Sequence, residues 1–366
     1  MRRQAGRDHQ GREGQGEVTS AVAARAVPLP ELDQSPELLQ SGFWGAFKQA
    51  HGWRPLAFQV DAAGTCFGLL VLTRRLARRF TIAYVPFGPT HDPGIGRGDL
   101  LAGISQAVRP LLPRGTLFLR FDLPWRKGGE SPAAPRVTKS AADMQPASTV
   151  VVDISGTPEA VLGSMKSKTR YNIRLAQKKG ISVTEGGEQD LPGWYAIYEE
   201  TARRDQIGIH SAAYYQGLMR ASRQYAGKAA AVQLLLAWHE GELLAGNIVA
   251  FWKDRAAYLY GASSGVKRNL MPTYALQWEA IRRAQSAGCA TYDLFGVPPL
   301  PDPGHPMAGL YQFKTGFSEQ VLERWGTWDV RYRPVLCAMY RAAEAVRMYY
   351  YRRFKKRLRA QAAAAT

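Results

Sequence analysis

The sequence predicts a mixed α/β protein that contains two similar domains in tandem. The main observation is an internal repeat, in which two long segments share the order strand, turn, long strand, turn, strand, helix, strand. Length agrees, because 366 residues are typical of two or three domains. The content of 46% hydrophobic residues is enough to fill more than one core.

The two copies of the repeat match element by element. The first reads PLAFQVDAAGTCFGLLVLTRRLARRFTIAYVPFGP, then a helical stretch over about 99–112, then LFLRFDL. The second reads AVQLLLAWHEGELLAGNIVAFWKDRAAYLYGASS, then a helical stretch over 272–287, then TYDLFGV. The strands alternate or run apolar, and each helix carries one apolar stripe. Gly64 and Gly241 fall in the matching first turn of each copy.

The repeat and the composition around it set the predicted domain boundaries. Residues 1–30 are rich in Gly, Gln and Arg, which predicts a disordered basic arm. We assign 31–148 with about 321–345 to the first domain and 149–320 to the second. Residues 346–366, VRMYYYRRFKKRLRAQAAAAT, predict a basic helix and tail. We favour packing of this helix on the first domain, and contact with a membrane surface or RNA is the alternative.

The charge balance indicates an anionic partner. The chain has 48 Lys and Arg against 30 Asp and Glu, a formal net charge of +18. Such a field attracts nucleic acid, anionic lipid or acidic small molecules. The three cysteines are scattered, which argues against a disulfide framework or a zinc site and favours the cytoplasm. The longest apolar run, 66–72, is too short to span a bilayer, and no signal peptide is predicted.

The most pronounced local charge pattern is SMKSKTRYNIRLAQKKG, residues 164–180, which contains no acidic residue. Thr157 as N-cap, Pro158 at the first helical position and Gly180 at the C-cap predict one helix, bent near Gly163. Its basic residues are Lys166, Lys168, Arg170, Arg174, Lys178 and Lys179. Like charges four residues apart repel each other on a helix. The pattern therefore indicates either a solvated basic face or a docking surface for a polyanion.

An antiparallel meander followed by a helix and a strand is the outline of the acyltransferase fold of the GNAT kind. In that fold, backbone N–H groups of a Gly-rich loop before the helix hold the pyrophosphate of coenzyme A. Here the matching loop is GASSGVKRNLMPTYALQWEAI, in which the Gly-x-Gly is missing and Pro272 and Thr273 open the helix. Close approach to a pyrophosphate needs small residues. The outline thus favours acyl transfer, and the loop argues against coenzyme A.

Several segments together resemble the FemABX family of aminoacyl-tRNA-dependent peptidoglycan transferases. They are LLQSGFWGAFKQAHGW, YVPFGP, KSKTRYNIRLAQKKGISV, YLYGASSGVKRNLMPTYALQWEAIRRAQSAGCATYDLFGV and GLYQFKTGF. The resemblance covers roughly residues 35–345. It implies two GNAT-like domains with a cleft between them, and transfer of Gly, Ala or Ser from aminoacyl-tRNA to the stem-peptide amine of lipid II or UDP-MurNAc-pentapeptide. Both substrates are polyanions, so the basic helix is expected to contact tRNA phosphates.

The resemblance also implies candidate site residues. Lys314 matches the lysine near the acyl-transfer centre, where a cation can stabilise an oxyanion, and Phe313 matches its neighbour. Lys48, Tyr214 and Tyr260 match contacts to the precursor. His210 stands where the family usually has Arg, and a neutral imidazole cannot clamp a phosphate in the bidentate way of Arg. The predicted tRNA contacts are Lys166, Lys168, Arg170, Arg174 and Lys178.

No general base, metal or cofactor is indicated by the sequence. Asp122 and Asp293 each end a predicted strand of one repeat, and a turn-capping role is favoured over a role in orienting the amine. Two alternatives stay open, a GNAT enzyme that uses an acyl-CoA and a non-catalytic RNA-binding protein with this fold. We expect a cytoplasmic monomer, in peripheral contact with the inner face of the membrane if the tail binds there.

Overall fold

The computed structural model describes residues 22–77, 79–205, 207–225, 230–298, 307–346 and 349. Residues 1–21 of the predicted N-terminal arm lie outside these residues, and so does nearly all of the predicted basic C-terminal tail. The prediction of disorder is wrong for the rest of the arm, because Ala23–Ala26 form a strand that pairs with residues 58–61. Within the described ranges, no helix has the length and apolar character needed to cross a membrane.

The first half contains the elements that the first repeat predicts. Its strands and helices are β1 (Ala23–Ala26), α1 (Gly42–Gln49), β2 (Arg54–Ala62), β3 (Thr65–Ala77), β4 (Phe80–Val85), α2 (Arg97–Val108), β5 (Thr116–Arg126) and β6 (Val137–Lys139). Short 3₁₀ helices occupy Leu29–Gln34, Leu38–Gln40 and Arg109–Leu111. Ser41 caps α1, since its side-chain oxygen accepts from the Trp44 N–H at 3.0 Å. Gly64 turns β2 into β3 with φ of +80°.

The second half repeats this plan after an insertion of helices. Its elements are β7 (Ser148–Asp153), α3 (Pro158–Ser164), α4 (Ser167–Lys178), β8 (Ser182–Gly186), α5 (Leu191–Asp205), α6 (Ala212–Gln224), β9 (Ala230–His239), β10 (Glu242–Trp252), β11 (Arg255–Ser263), α7 (Pro272–Ser286) and β12 (Thr291–Gly296). Then follow α8 (Ala308–Lys314), β13 (Val321–Arg331) and α9, a helix over 334–346. Short 3₁₀ turns lie at Glu188–Asp190 and Arg268–Leu270.

All the described strands join one sheet, in the order β1-β2-β3-β4-β5-β13-β7-β12-β11-β10-β9-β8, with β6 beside β13. Within each half, the strands before the central helix are antiparallel, and the strand after it is parallel to its neighbour. β13 connects the halves, because its 324–331 stretch pairs with β5 and its 321–323 stretch pairs with β7. The mixed α/β fold with two GNAT-like halves is therefore confirmed, and the domain boundaries stay a proposal.

Apolar cores cover both faces of the sheet. In the second half, one core lies under α4 and α7 and includes Ile173, Ile281 and Phe317. On the opposite face, a core that we call the shared core contains residues of both halves, such as Phe43 of α1 and Trp194 of α5. The two halves therefore do not have entirely separate interiors.

The structure corrects two local predictions. The segment 158–180 is two helices rather than one helix bent at Gly163, because the chain is extended at Met165 and Lys166. The Lys166 N–H donates to the Gly316 carbonyl at 2.9 Å instead of continuing a helix. Asp122 and Asp293 do not end strands. Asp122 lies inside β5, which extends to Arg126, and Asp293 lies inside β12, which extends to Gly296. The predicted Thr157 cap is confirmed, since its Oγ1 accepts from the Ala160 N–H.

Candidate active site

The structure brings together the four residues predicted to contact the precursor, which we call the lysine–tyrosine cluster: Lys48, His210, Tyr214 and Tyr260. Lys48 Nζ, at the end of α1, donates to Tyr214 Oη of α6 at 3.0 Å. Tyr260 Oη of β11 lies 3.5 Å from the same oxygen. The His210 imidazole stacks on the Tyr214 ring, with centroids 3.9 Å apart. Three elements that are distant in the sequence thus place one cation among aromatic rings.

The surroundings of this cluster fix its charge. Burial lowers the pKa of His210, and the Lys48 ammonium lowers it further. The same two causes lower the pKa of His51. The centroid of the His51 ring lies 4.8 Å from that of the Tyr214 ring. Both imidazoles are therefore neutral near pH 7, and Lys48 is the cation of the cluster. Its ammonium also lies 5.1 Å from the centre of the Trp44 ring, within the range of a cation–π contact.

The sequence reasoning missed His51. Its Nε2 is buried without a hydrogen-bond partner among the described residues. Its position in the sequence could have indicated it. His51 lies three residues after Lys48, just past the end of α1, and residues with this spacing lie on the same face of a helix. An unpaired imidazole nitrogen beside Lys48 can accept or donate one bond to a bound polar group.

Lys314 lies on the other face of the sheet and is only 4% exposed. Its Nζ donates to the carbonyl oxygens of Phe295 at 3.2 Å and Gly296 at 3.0 Å. It also lies 5.4 Å from the centre of the Tyr258 ring. Burial lowers the pKa of Lys314 to about 8, and the Asp293 carboxylate opposes that shift. The protonated amine has three N–H donors, so one remains for a ligand after the two carbonyl bonds.

Asp293 holds the end of β12, which supplies those carbonyls. Its Oδ1 accepts from the Phe295 N–H at 2.7 Å and from the Thr149 hydroxyl, and its Oδ2 accepts from Arg324 at 2.9 Å. Phe295 has a φ of +60°, which a non-glycine residue adopts only when its surroundings hold it. These bonds give Asp293 a structural role from within β12, rather than the predicted place at a strand end.

Asp122, the matching carboxylate of the first half, is buried in a bonded site of its own. It accepts from the hydroxyls of Thr327 at 2.9 Å and Tyr84 at 3.1 Å. Burial raises its pKa to about 7. These bonds join β5, β13 and β4, so a structural role accounts for this residue.

A β-bulge separates the two candidate centres. Ile248 pairs with Tyr260 and Val249 pairs with Tyr258, which leaves Leu259 between them unpaired. Residues two apart on a strand normally share a face. Here Tyr258 packs on the core under α7 beside Lys314, whereas Tyr260 packs on the shared core. Beyond Ala257 and Asp293, β11 and β12 no longer pair, so the sheet opens next to both centres.

The basic helix α4 lies beside the Lys314 segment. Thr169 of α4 fits against Gly316, whose missing side chain makes room for the threonine hydroxyl. Phe313 packs edge-on against Tyr274 of α7 and Phe317. The predicted tRNA contacts Lys166, Lys168, Arg174 and Lys178 are exposed. Arg170 differs, because it is half-buried. Its guanidinium donates to the carbonyls of Gly163 and Met165 at the end of α3.

The start of α7 offers few donors to a pyrophosphate. Pro272 has no N–H, and the N–H groups of Tyr274 and Ala275 donate to the Met271 carbonyl. Met271 has a φ of +59°, at a position where a glycine would be unstrained. This geometry agrees with the sequence argument against coenzyme A.

Comparisons with known proteins agree with this fold. The sequence model of the FemAB family matches residues 136–237 and 228–345, more than half of the chain. A lipid II:glycine glycyltransferase of Staphylococcus epidermidis is 21% identical over 364 residues, with 80% of this chain and 87% of the relative covered. The corresponding protein of Staphylococcus aureus is 22% identical over 369 residues, with the same shares covered.

A solved structure shows the same architecture. The crystal structure of FemX superposes with a TM-score of 0.75 and 19% sequence identity, and covers 87% of this chain and 99% of that chain. Three of the five segments that carry the resemblance in the sequence, those that begin at Lys166, Tyr258 and Gly309, lie within the residues that the family model matches. The chain belongs to the FemAB family.

Proposed function

We propose that this protein transfers an amino acid from aminoacyl-tRNA to the stem-peptide amine of a peptidoglycan precursor, and so builds an interpeptide bridge. Membership of the FemAB family supports this, as do relatives named lipid II:glycine glycyltransferase. An aminoacyl-tRNA donor implies a cytoplasmic reaction. A lipid-linked acceptor would bring it to the inner face of the membrane.

The observation that carries the proposal is the buried ammonium of Lys314. Its two bonds to the carbonyls of Phe295 and Gly296 fix its position, and its third N–H is left for a substrate oxygen. In aminoacyl transfer, the acceptor amine adds to the ester carbonyl carbon, and the carbonyl oxygen becomes an oxyanion. A fixed donor in a water-poor site stabilises that charge without reorganisation. Phe313 shapes the adjoining surface.

The rest of the reaction balances without a protein base. The tetrahedral intermediate collapses, the bond from carbon to the ribose oxygen breaks, and an amide remains. The proton released by the amine leaves with the tRNA hydroxyl, so a substrate group can carry it. The Asp293 carboxylate raises the pKa of Lys314, but it already accepts hydrogen bonds from three donors. It is therefore not placed to serve as a base.

The lysine–tyrosine cluster is our candidate for the precursor site. Lys48 supplies the charge for a diphosphate, and the phenols of Tyr214 and Tyr260 supply hydrogen bonds to the diphosphate or sugar. With His210 neutral, the cluster carries less charge than one with Arg there. We therefore expect weaker binding of the diphosphate than in family members that have the arginine.

The exposed lysines and arginine of α4 are our candidates for tRNA contact. Lys168, Arg174 and Lys178 are exposed on a helix that contains no acidic residue, and Lys166 at its start pairs with Glu319 at 3.1 Å. The N-terminal end of that helix contacts the Lys314 segment. Phosphate contacts of this kind give affinity without reading sequence. A bound tRNA backbone would then lie next to the transfer centre.

The direct test offers labelled Gly-, Ala- and Ser-tRNA to the protein together with lipid II or UDP-MurNAc-pentapeptide. We expect one combination to give an acceptor heavier by one or more residues of that amino acid in a mass spectrum. A Lys314→Ala preparation serves as the control for contaminating transferase. Absence of product with every combination, from a folded protein that binds tRNA, would reject the proposal in favour of non-catalytic RNA binding.

An enzyme that uses acyl-CoA is the second candidate, because the fold is GNAT-like. The scarcity of free N–H groups at the start of α7 counts against it. If coenzyme A raised the melting temperature while aminoacyl-tRNA did not, this second candidate would replace the first.

A further inference from the structure

Helix α9 has an unusual distribution of side chains. The residues of 335–346 that face solvent are all apolar: Val335, Ala338, Met339, Ala342, Ala343, Ala345 and Val346. Val335 is 74% exposed, Met339 64% and Val346 67%. A helix on the surface of a soluble domain normally turns polar residues outward. This helix therefore presents an apolar stripe that nothing in the described chain covers.

The charged side chains of the same helix turn inward. Glu344 lies 3.5 Å from the buried guanidinium of Arg120, and Arg341 donates to the Lys139 carbonyl at 3.5 Å. Cys337 and Leu336 pack with Phe118 of β5. The helix is thus anchored by one face to the first half, and its orientation is set by contacts that leave the apolar stripe outside.

Both ends of the stripe are basic. At its start, Arg333 and Arg114 are exposed, and Arg333 donates to the Arg114 carbonyl at 3.2 Å. After its end, the sequence of 347–366 contains seven Lys and Arg and no Asp or Glu. An apolar helical stripe flanked by cations matches a bilayer surface that contains anionic lipid, where apolar side chains enter the acyl boundary and cations meet headgroups.

We propose that the α9 stripe, defined by Val335, Met339 and Val346, docks this protein on an anionic lipid bilayer. The helix is already folded against β5, so docking requires no ordering of a new helix. The purpose of the contact rests on the proposed function, since a lipid-linked acceptor lies in such a surface. The contact itself can be measured without any substrate.

The test is flotation of the full chain with two kinds of vesicle, phosphatidylcholine alone and phosphatidylcholine mixed with phosphatidylglycerol. We expect binding to the mixed vesicles and little to the neutral ones. The variant Val335→Gln with Met339→Gln and Val346→Gln keeps the net charge. It should lower the partition coefficient about tenfold or more, because even one buried aliphatic side chain is worth about that factor.

A matched control changes three exposed apolar residues elsewhere, Ile95→Gln, Ile207→Gln and Val266→Gln, which are 83%, 40% and 50% exposed. It should bind vesicles like the wild type. If the triple variant misfolds, Val335→Gln alone replaces it and should give a smaller loss of vesicle binding. Unchanged partition of a folded triple variant would overturn the proposal, and so would an equal loss in the control.

Two further outcomes would assign the stripe to another partner and reject lipid docking. In the first, the triple variant loses tRNA affinity but keeps vesicle binding. In the second, the wild type sediments as a dimer, the triple variant as a monomer, and vesicle binding is the same for both. Product formation from a water-soluble acceptor is expected to be unaffected by the triple variant, which separates failure of docking from failure of the proposed function.

Discussion

At the scale of residues, the lysine–tyrosine cluster makes a prediction that separates binding from chemistry. Lys48→Met should raise the KM for the precursor about tenfold to a hundredfold, because it removes a charge-assisted bond to a diphosphate, with little change in kcat. Lys168→Met, on exposed α4, is the matched control and should leave that KM unchanged. Steady-state kinetics with varied precursor measure both. A fall in kcat at constant KM would place Lys48 in the transfer step instead.

A change at Asp293 is expected to move the carbonyls that hold Lys314. Asp293→Asn weakens the ion pair with Arg324 and the bond to the Phe295 N–H, so the two carbonyls that hold Lys314 should shift. A misplacement of about 1 Å can cost about a hundredfold in rate, and we expect a loss of about tenfold to a hundredfold in kcat. Loss of the carboxylate should also lower the pKa of Lys314 below about 8.

The control for this variant is Asp122→Asn, at the matching place in the first half. It should leave kcat and its pH dependence unchanged, because the hydrogen bonds of Asp122 to Thr327 and Tyr84 lie within the first half and its junction with β13. If Asp293→Asn lowered stability but left kcat and the pH dependence unaltered, the carboxylate would have a purely structural role.

Sequence resemblance could single out Lys314 and Lys48 as candidates, but it could not predict their environments. GLYQFKTGF by itself reads as a segment with an exposed lysine. The burial of Lys314 depends on Tyr258 and on the end of β12, which approach it only in the folded chain. The positive φ of Phe295 likewise accompanies the bonds of Asp293 to Thr149 of β7 and Arg324 of β13, which are distant in the sequence. No local pattern encodes such contacts.

At the scale of elements, the basic residues of α4 are expected to set how the affinity for tRNA depends on salt. Changing Lys168, Arg174 and Lys178 to Gln should flatten the dependence of log Kd for tRNA on log salt, by roughly 0.7 to 0.9 for each phosphate that is no longer neutralised. Arg170 is left unchanged because its guanidinium donates to a carbonyl near the end of α3. The matched control changes Arg54, Arg75 and Arg79, exposed residues of the first half, to Gln. Equal slopes for the wild type and the α4 variant in filter-binding titrations would restore the solvated-face interpretation.

The break between α3 and α4 shows what periodicity cannot reveal. The apolar stripe of 162–176 continues across the break, so the spacing alone indicates one helix. The chain is extended at Met165 and Lys166 because the Lys166 N–H bonds the Gly316 carbonyl, which is distant in the sequence. By contrast, the repeat strands and the helices α2 and α7 were predictable, since each depends on its own apolar pattern.

At the scale of the whole molecule, the sheet and the shared core predict joint unfolding of the two halves. β13 pairs with strands of both halves, and the shared core contains residues of both. We expect one cooperative transition in which far-ultraviolet dichroism and tryptophan fluorescence coincide. Calorimetry should give equal van't Hoff and measured enthalpies. Two separate transitions would mean that each half is stable alone.

The proposed function depends most on the action of Lys314, in its protonated form, at the acyl-transfer centre. The most direct measurement is single-turnover transfer from aminoacyl-tRNA, at saturating precursor, for the wild type and Lys314→Ala over a range of pH. The ratio of the two rates removes the titration of the acceptor amine, which is common to both. We predict a ratio on the order of 10² to 10³ below pH about 8, falling as the pH rises through the pKa of Lys314. A ratio near one, or a ratio that rises through that pKa, would show that the protonated form of Lys314 does not act in the transfer step.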